Sequence, residues 1–261
     1  MDTQQQKQFN VLVIGDSCED VYHYGKCERI SPEAAVPILK ETRTEIKPGM
    51  SANVVSNLKS FGMLVTHVTN KKPIRKHRFV AEKFNQHMLR VDEGEDQILD
   101  SVDINSIKQN NQILDAVVIS DYNKGFLSFD DCKMLTRHFK NIPVFVDSKK
   151  IDLSCFENCV IKINEKEHES MVKISNTSKL MVTLGAYGTL YDNKIYQTDK
   201  VEVFDVCGAG DVFLSALVYE FLLTKSIKNA IIFANRCASY SVSKFGTYIL
   251  TTQEINELSR N

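Results

Sequence analysis

Short apolar runs rich in β-branched residues recur along the chain, and most of them end at a polar residue or a glycine. Runs of this length and composition are typical of strands buried inside a sheet. Because strands that alternate with helices build mostly parallel sheets, the pattern predicts an α/β protein with helices on both faces of the sheet. The predicted strands are 9–14, 63–68, 116–120, 144–147, 160–163, 180–184 and 195–197, and the predicted helices are 52–61, 129–139 and 210–223.

Two stretches depart from this alternation. Residues 21–44 contain two extended patches around a Ser31-Pro32 turn, and their prolines disfavour a helix. Residues 71–78 carry five Lys and Arg side chains in eight positions, which is typical either of a solvated surface or of a contact with an anionic ligand. We predict that residues of about 21–45 and 71–92 form a small β-flap, or lid, over the strand ends of a single domain spanning 1–261.

Composition narrows the class of protein. The 261 residues are 43% hydrophobic and 25% charged, and the net charge of −1 gives no reason to expect nucleic acid or an anionic membrane as a partner. No apolar stretch approaches the ~20 residues that cross a bilayer, and the polar residues 1–10 do not resemble a signal peptide. The seven cysteines include no Cys-x-x-Cys pair and are expected to be reduced thiols, so we expect a cytoplasmic protein.

The strongest chemical signal is the stretch 205–211, DVCGAGD, which directly precedes a helical run. A Gly-Ala-Gly turn that opens a helix presents unpaired N–H groups at the positive end of the helix dipole, where they can bind phosphate or a transferring phosphoryl group. An Asp at its edge could take the proton of a substrate hydroxyl. The alternative is a tight turn with a capping Asp. Further polar residues follow predicted strands, where ligands of parallel sheets gather: Asp16, Asp20, Asp121, Asp147 and Asn164.

This stretch resembles the D-T-x-G-A-G-D signature of the ribokinase-like (PfkB) carbohydrate kinases, and the resemblance extends over nearly the whole chain. Within the family the chain is most similar to the D-glycero-β-D-manno-heptose-7-phosphate kinases. The resemblance implies a ribokinase-like three-layer sandwich with a mostly parallel central sheet and a small β-flap. The narrower match is carried by 15–20 (GDSCED), 29–37 (RISPEAAVP), 86–92 (QHMLRVD), 120–125 (SDYNKG), 233–235 (FAN) and 244–247 (KFGT).

The resemblance also implies roles for individual residues. Asp211 would be the general base on the accepting hydroxyl. Asn164 and Glu167 match an N-x-x-E motif that arranges Mg²⁺ and phosphate, although such a motif often only caps a helix. We therefore expect ATP and Mg²⁺ as cofactors and leave a monovalent cation open. The N–H groups of Gly208, Ala209 and Gly210 would form the anion hole, and the nucleotide site would consist of Asn164, Thr183, Gly185, Gly188, Asn235 and Gly246, the last two within an adenine-lining stretch 231–247.

A sugar site is implied at the strand ends beneath the flap. The phosphate of a phosphosugar needs cationic partners, preferably an Arg fork, and the candidates are Lys76, Arg78 and Arg90. The full predicted substrate-binding set is Asp16, Asp20, Gly49, Asn53, Lys76, Arg78, Arg90, Asp121 and Lys124.

We therefore expect an ATP-dependent kinase that phosphorylates the C1 hydroxyl of the heptose 7-phosphate to the 1,7-bisphosphate. Two alternatives stay open: a PfkB-type kinase for another sugar phosphate or a nucleoside, and a degenerate, non-catalytic homologue that binds a sugar phosphate. The resemblance further implies a homodimer through the β-flap. No nucleotidyltransferase domain is expected, so a separate nucleotidyltransferase would act downstream.

The chain departs from the family pattern at four places. Met50 stands where the family has the second residue of a Gly-Gly pair, which puts a close backbone approach or a hinge in doubt. Cys207 replaces a Thr and Ser148 replaces a Pro. After Asn70 the chain runs almost directly into the basic segment, where family members carry a further helix and strand. We expect this shortening to trim the flank of the sheet rather than the phosphate site.

Overall fold

Strands and helices alternate along the chain as the apolar pattern predicts. The computed structural model describes residues 8–95, 100–109, 113–244 and 246–260, with the side chains of 108 and 109 excepted. Phe245 of the predicted adenine-lining stretch and residues 1–7 of the polar N-terminal stretch lie outside them. The strands are β1 (Asn10–Gly15), β2 (Ser17–Ile30), β3 (Pro37–Met50), β4 (Leu64–Val68), β5 (Arg75–Ala81), β6 (Gln86–Glu93), β7 (Ala116–Asp121), β8 (Val144–Ser148), β9 (Asp152–Leu153), β10 (Val160–Asn164), β11 (Lys173–Ile174), β12 (Lys179–Thr183), β13 (Thr189–Tyr191) and β14 (Lys194–Tyr196), and the helices are α1 (Ser51–Ser60), α2 (Ile104–Gln109), α3 (Phe129–His138), α4 (Glu165–Ser170), α5 (Ala209–Thr224), α6 (Ile227–Val242) and α7 (Thr252–Arg260).

An eight-stranded sheet forms the body of the protein, in the order β14-β13-β12-β10-β8-β7-β1-β4. The strands from β4 to β12 pair in parallel, and β13 and β14 add an antiparallel edge. Each predicted strand and helix is present within one residue of its predicted bounds. The sequence patterns missed the short strands β9, β11 and β13 and the helices α2, α4, α6 and α7.

Side chains of the central strands are buried on both faces of this sheet. Val11 and Val13 of β1 join an apolar cluster with α1, α5 and α6, whereas Leu12 and Ile14 join a second cluster with α3 on the opposite face. Because successive side chains of a strand point to opposite faces, a strand covered twice needs an unbroken apolar run. Among the described residues, no helix combines the length and the apolar character that a bilayer crossing needs.

The predicted β-flap is a separate four-stranded sheet in the order β3-β2-β5-β6. Its strands β2 and β5 pair in parallel, with Asp20 beside Lys76 and Tyr22 beside Arg78. We call the face that carries these side chains the inner face, because Lys76 reaches a body residue there through a shared ion pair. The alternate positions form the outer face.

The large sheet ends at β4, which pairs only with β1 among the described strands. From Asn70 the chain reaches the flap strand β5 at Arg75, without a further strand beside β4. Leu64, at the start of this edge strand, is 50% exposed. Among the described strands, β4 is therefore the edge of the sheet on this flank.

The helix α1 begins at a strained residue. Met50, its N-cap, has φ 55° and ψ −132°, a conformation that glycine adopts readily and other residues rarely do. The Met50 side chain is nevertheless buried in the apolar cluster on the α3 face of the sheet. The chain thus keeps the backbone conformation of a glycine position while filling the space with a methionine side chain.

Candidate active site

The Gly-Ala-Gly turn opens α5 in the manner that the sequence predicts. Gly208 is the N-cap, with φ 77°, and its carbonyl accepts hydrogen bonds of 3.0 Å from the N–H groups of Asp211 and Val212. A Cβ atom at Gly208 would lie 3.1 Å from Asn53 Nδ2, so this position also needs a residue without a side chain. Ala209 N–H donates to the Val206 carbonyl at 3.3 Å. Within the described residues, the N–H groups of Gly208 and Gly210 make no such bond and can face an anion.

Asp211 is the buried carboxylate of this turn, with 6% of its surface exposed. Asn53 Nδ2 donates to its Oδ2 at 2.6 Å, and the Tyr122 hydroxyl donates to its Oδ1 at 3.2 Å. Burial, assisted by the charge of Asp147, raises the pKa of Asp211 to about 6, against the opposing effects of Asn53, Lys162 and Tyr122. A carboxylate with this pKa is a stronger base than an exposed Asp and is still mostly ionised at neutral pH.

Tyr122 connects this base to the predicted sugar site. Its hydroxyl contacts Asp211, and its backbone N–H donates to Asp16 Oδ2 at 2.8 Å. Burial raises the pKa of the Tyr122 hydroxyl well above its ordinary value, so the hydroxyl remains a donor. The sequence analysis did not assign a role to Tyr122. The available signal was its place directly after the end of β7, within the family stretch 120–125.

The carboxylates of the predicted sugar site have different partners. Asp16 is fully buried and also accepts from the Phe126 N–H at 3.3 Å, while burial and the charge of Asp121 raise its pKa. Asp20 lies on the inner face of the flap, where Arg78 Nη1 donates to it at 2.5 Å. A Cβ atom at Gly49 would lie 2.7 Å from Asp20 Oδ2, which explains a glycine there.

Asp121 is less available to a substrate than the sequence analysis expects. Its carboxylate accepts from the Ser148 hydroxyl at 2.6 Å and forms an ion pair with Lys150 Nζ at 3.0 Å. Ser148 is the residue that departs from the family's proline, and its hydroxyl thus takes part in holding this carboxylate. These contacts occupy Asp121 inside the protein.

A cavity of about 960 Å³ extends from Asp211 along the ends of β8, β10 and β12 to α6. Its lining includes the three residues of the predicted anion hole and most of the predicted nucleotide site. Asn235 also has a structural role, since it accepts from Thr189 at 2.7 Å and donates to the Tyr196 carbonyl at 2.9 Å. Gly246 is not in the lining but lies beside Lys47 of the flap. The predicted residues in the lining are Asn164, Thr183, Gly185, Gly188, Gly208, Ala209, Gly210, Asp211 and Asn235.

Asn164 and Glu167 form a capping box at the start of α4. Asn164 accepts from the Glu167 N–H at 2.9 Å, and Glu167 accepts from the Asn164 N–H at 2.8 Å. Glu167 also forms an ion pair with Lys149. Both readings of the N-x-x-E motif are therefore compatible with the structure, because the residues cap a helix and lie at or next to the cavity wall.

A buried ion pair lies under the Gly-Ala-Gly turn. Lys162 Nζ contacts Asp147 Oδ2 at 2.5 Å, and a Cβ atom on Gly210 would lie 2.8 Å from the same Nζ. Burial acts to raise the pKa of Asp147, but the charges of Lys162 and Lys149 outweigh it and lower the pKa. The sequence analysis did not assign Lys162. A lysine inside the apolar run VIKIN was the available signal, because a charge in a buried strand needs a partner.

The predicted phosphate-binding cations all have carboxylate partners on the inner face of the flap. Arg78 pairs with Asp20, and Arg90 donates from Nε and Nη2 to Asp92 at 2.6 and 2.7 Å. Lys76 and Lys124 both contact one carboxylate, Glu95, which the sequence analysis did not identify. The structure therefore brings Lys76 and Lys124 together, whereas Arg90 is about half exposed.

Comparison with known proteins identifies relatives of the chain. It matches the pfkB family carbohydrate kinase over residues 156–254. It is 31% identical to the bifunctional protein HldE of Nitratiruptor sp. over 304 aligned positions, covering 96% of this chain and 65% of the relative. It is 33% identical to the bifunctional protein HldE of Sulfurimonas denitrificans, covering 95% of this chain and 63% of the relative. The chain thus spans slightly less than two thirds of these curated relatives.

Solved structures are similar over almost the whole chain. Phosphofructokinase-2 from Escherichia coli, in complex with potassium, superimposes with a TM-score of 0.74 at 15% identity and covers 97% of this chain and 98% of that one. Ribokinase from Thermotoga maritima has a TM-score of 0.68 at 19% identity and covers 97% of this chain and 100% of that one. These similarities confirm the expected ribokinase-like fold.

Proposed function

Because the chain belongs to the pfkB family of carbohydrate kinases, we propose that it transfers the γ-phosphoryl group of ATP to the C1 hydroxyl of D-glycero-β-D-manno-heptose 7-phosphate. The product is the 1,7-bisphosphate. The observation that carries the proposal is the place of Asp211: a buried carboxylate with a raised pKa lies in the wall of the cavity and contacts Tyr122, whose backbone N–H donates to Asp16 of the predicted sugar site. The identity with the HldE proteins and the family stretches 29–37 and 120–125 support this acceptor.

In this reaction the acceptor oxygen attacks the γ-phosphorus while the bond from that phosphorus to the leaving oxygen of ADP breaks. The hydroxyl proton passes to Asp211, whose two oxygens are oriented by Asn53 and Tyr122. The N–H groups of Gly208 and Gly210, at the positive end of α5, stabilise the charge on the transferring group. The flap covers the strand ends and excludes water from the reacting groups.

The cavity and its charges fit ATP and magnesium. Mg²⁺ keeps several waters and takes one or two carboxylates together with substrate phosphates, and when bound it neutralises charge on the phosphate oxygens. Asp147 and Glu167 are the carboxylates that would hold it, and the buried Oδ1 of Asp147 accepts no hydrogen bond, although Lys149 Nζ lies 3.5 Å from it. Within the described part of the chain no group of three His, Cys, Asp or Glu side chains could hold a metal by itself. The lysines Lys149 and Lys162 would bind and orient the phosphate chain.

The outer face of the flap supports the proposed homodimer. Ile46, at the β3 edge of this sheet, and Leu89 and Val91, at the β6 edge, lie on this face and are 62%, 57% and 45% exposed. A second copy of the chain would bury them. A separate nucleotidyltransferase would act downstream of this reaction.

The proposal is tested by ADP release with Mg-ATP against a panel of acceptors. The panel contains the heptose 7-phosphate, fructose 6-phosphate, ribose and adenosine. We expect turnover with the heptose 7-phosphate at a kcat/KM at least tenfold above the others. A higher kcat/KM with another acceptor would contradict the proposed acceptor but not the proposed kinase activity. ATP binding without turnover on any acceptor would favour the non-catalytic alternative.

A further inference from the structure

Charge is not balanced equally among the ion pairs on the inner face of the flap. Arg78 and Arg90 each have a carboxylate of their own, Asp20 and Asp92. Glu95 is shared by two lysines, with Lys76 Nζ at 3.1 Å from Oε1 and Lys124 Nζ at 2.6 Å from Oε2. This triad has a net charge of +1, and it is where an added anion gains most.

The triad joins two parts of the protein. Lys76 belongs to the flap strand β5, whereas Lys124 follows β7 in the body. Their side chains are 12% and 28% exposed, and that of Glu95 is 21% exposed. One carboxylate therefore bridges two ammonium groups at the junction of flap and body, and its two oxygens make the contacts that two oxygens of a phosphate monoester would make.

The two arginines are less open to a phosphate. The guanidinium of Arg90 uses Nε and Nη2 on Asp92, which is the fork that a phosphate would otherwise take. Arg78 contacts Asp20 and lies over the ring of Tyr22. A phosphate dianion would have to break a one-to-one ion pair to bind either arginine. At the triad it replaces a carboxylate that carries less negative charge than the phosphate does.

We propose that Lys76 and Lys124 form the subsite for the phosphate group of the acceptor, and that Glu95 is a resident carboxylate which this phosphate displaces. The inference rests on the proposed function in one respect, that the acceptor carries a phosphate. Glu95 makes the subsite selective: a phosphate monoester dianion replaces it, whereas an acceptor without a phosphate leaves both ion pairs in place. Glu95 is thus a specificity-determining residue.

Glu95 is ionised under the conditions of catalysis. Burial acts to raise its pKa, but the hydrogen bond from Lys124 and the ion pair with Lys76 outweigh burial and lower the pKa below the ordinary value for Glu. Removing its charge therefore removes a competitor for the phosphate rather than a neutral side chain. We therefore expect a substitution that removes this charge to improve binding of the phosphosugar, which a merely structural role for Glu95 would not produce.

The first test compares Glu95→Gln with the wild-type protein in steady-state kinetics at low salt. We expect KM for the phosphosugar to fall about three- to tenfold, with KM for ATP unchanged and kcat within about twofold. The matched control is Glu93→Gln, which removes a nearby carboxylate that contacts His77 on the outer face and should leave these constants unchanged. An unchanged or increased KM for the phosphosugar in Glu95→Gln would overturn the inference.

The second test does not depend on turnover. Binding of inorganic phosphate is measured by calorimetry for the wild-type protein, Glu95→Gln, and each of them combined with Lys76→Met and Lys124→Met. We expect tighter binding in Glu95→Gln and no effect of Glu95→Gln when both lysines are absent. If this pattern appears without kinase activity, the subsite stands and the proposed reaction fails. If the acceptor is phosphorylated but phosphate binding is the same in all four proteins, the subsite inference fails alone.

Discussion

The turn that opens α5 and the inner face of the flap both offer positive charge, but they are built differently. The turn presents the N–H groups of Gly208 and Gly210 at a helix end, and among the described residues neither N–H donates a hydrogen bond to a carboxylate. The flap presents full charges that are already paired with carboxylates such as Asp20 and Glu95. An anion at the turn has nothing to displace, whereas an anion at the flap must exchange partners. The arrangement at the turn therefore favours a high reaction rate, and the arrangement at the flap favours discrimination between acceptors.

The largest expected effect concerns the base beside the turn. Asp211→Asn removes the proton acceptor, and we expect kcat to fall by about 10²- to 10⁴-fold. ATP binding measured by calorimetry should stay within a few fold, because the backbone N–H groups remain. Asp192→Asn, in the turn between β13 and β14, is the matched control and should leave kcat unchanged. Turnover of Asp211→Asn within tenfold of the wild type would refute the assigned role.

The next prediction concerns Lys162, the cation beneath the Gly-Ala-Gly turn. Lys162 lowers the pKa of Asp211, so in Lys162→Met that pKa should rise further above 6. Because the base acts in its ionised form, activity should then be lost at pH 6.5 more than at pH 8. The measurement is the acidic limb of kcat/KM against pH, with Lys179→Met, at the exposed start of β12, as control. An equal loss at both pH values would show that Lys162 does not act through the pKa of Asp211.

The buried carboxylate of Asp211 also affects the stability of the folded protein, because its ionisation in the interior costs free energy. The folded pKa of Asp211, about 6, lies above the ordinary value of about 3.9 expected in the unfolded chain. The folded state therefore binds the proton more tightly, and ionisation destabilises it above pH 6 but not below pH 4. We expect Asp211→Asn to be more stable than the wild type by on the order of 1 kcal/mol at pH 8 and to lose this advantage near pH 4. Urea unfolding at both pH values checks it, and a gain independent of pH would contradict the cause.

The smallest effect concerns the strained start of α1, which lies between the two regions. Met50→Gly and Met50→Ala both remove the buried side chain, but only glycine relieves the positive φ. We expect the Gly variant to be more stable than the Ala variant by about 1 kcal/mol in urea unfolding. Ala is the better residue at ordinary helix positions, so an Ala variant equal to or more stable than the Gly variant would show that Met50 is not strained.

The sequence predicts the turn better than the flap for a physical reason. Asp211, Gly208 and Gly210 are neighbours in the chain, so a helix start brings them together without help from distant residues. The buried strands could be predicted equally well, because burial on both faces of the sheet requires an unbroken apolar run in the sequence. The helix α6 was missed because its many buried positions include polar residues such as Asn235, which obscure the apolar period.

Partners on the flap depend on strand register and on distant loops. The contacts of Glu95 with Lys76 and with Lys124 join residues that are 19 and 29 positions apart, and no local pattern encodes them. The same is true of Asp147 with Lys162 and of Tyr122 with Asp211. The residue types of the site could therefore be predicted from the sequence, whereas the ion pairs that decide which cations are available could not.

The most direct test of the central claim is the identity of the product, followed by phosphorus NMR during turnover of the heptose 7-phosphate with Mg-ATP. The account predicts a new phosphate resonance coupled to the anomeric proton, formed in step with ADP by the wild-type protein and not by Asp211→Asn. A phosphate on another hydroxyl, or ADP release that is equal in the two proteins, would contradict it.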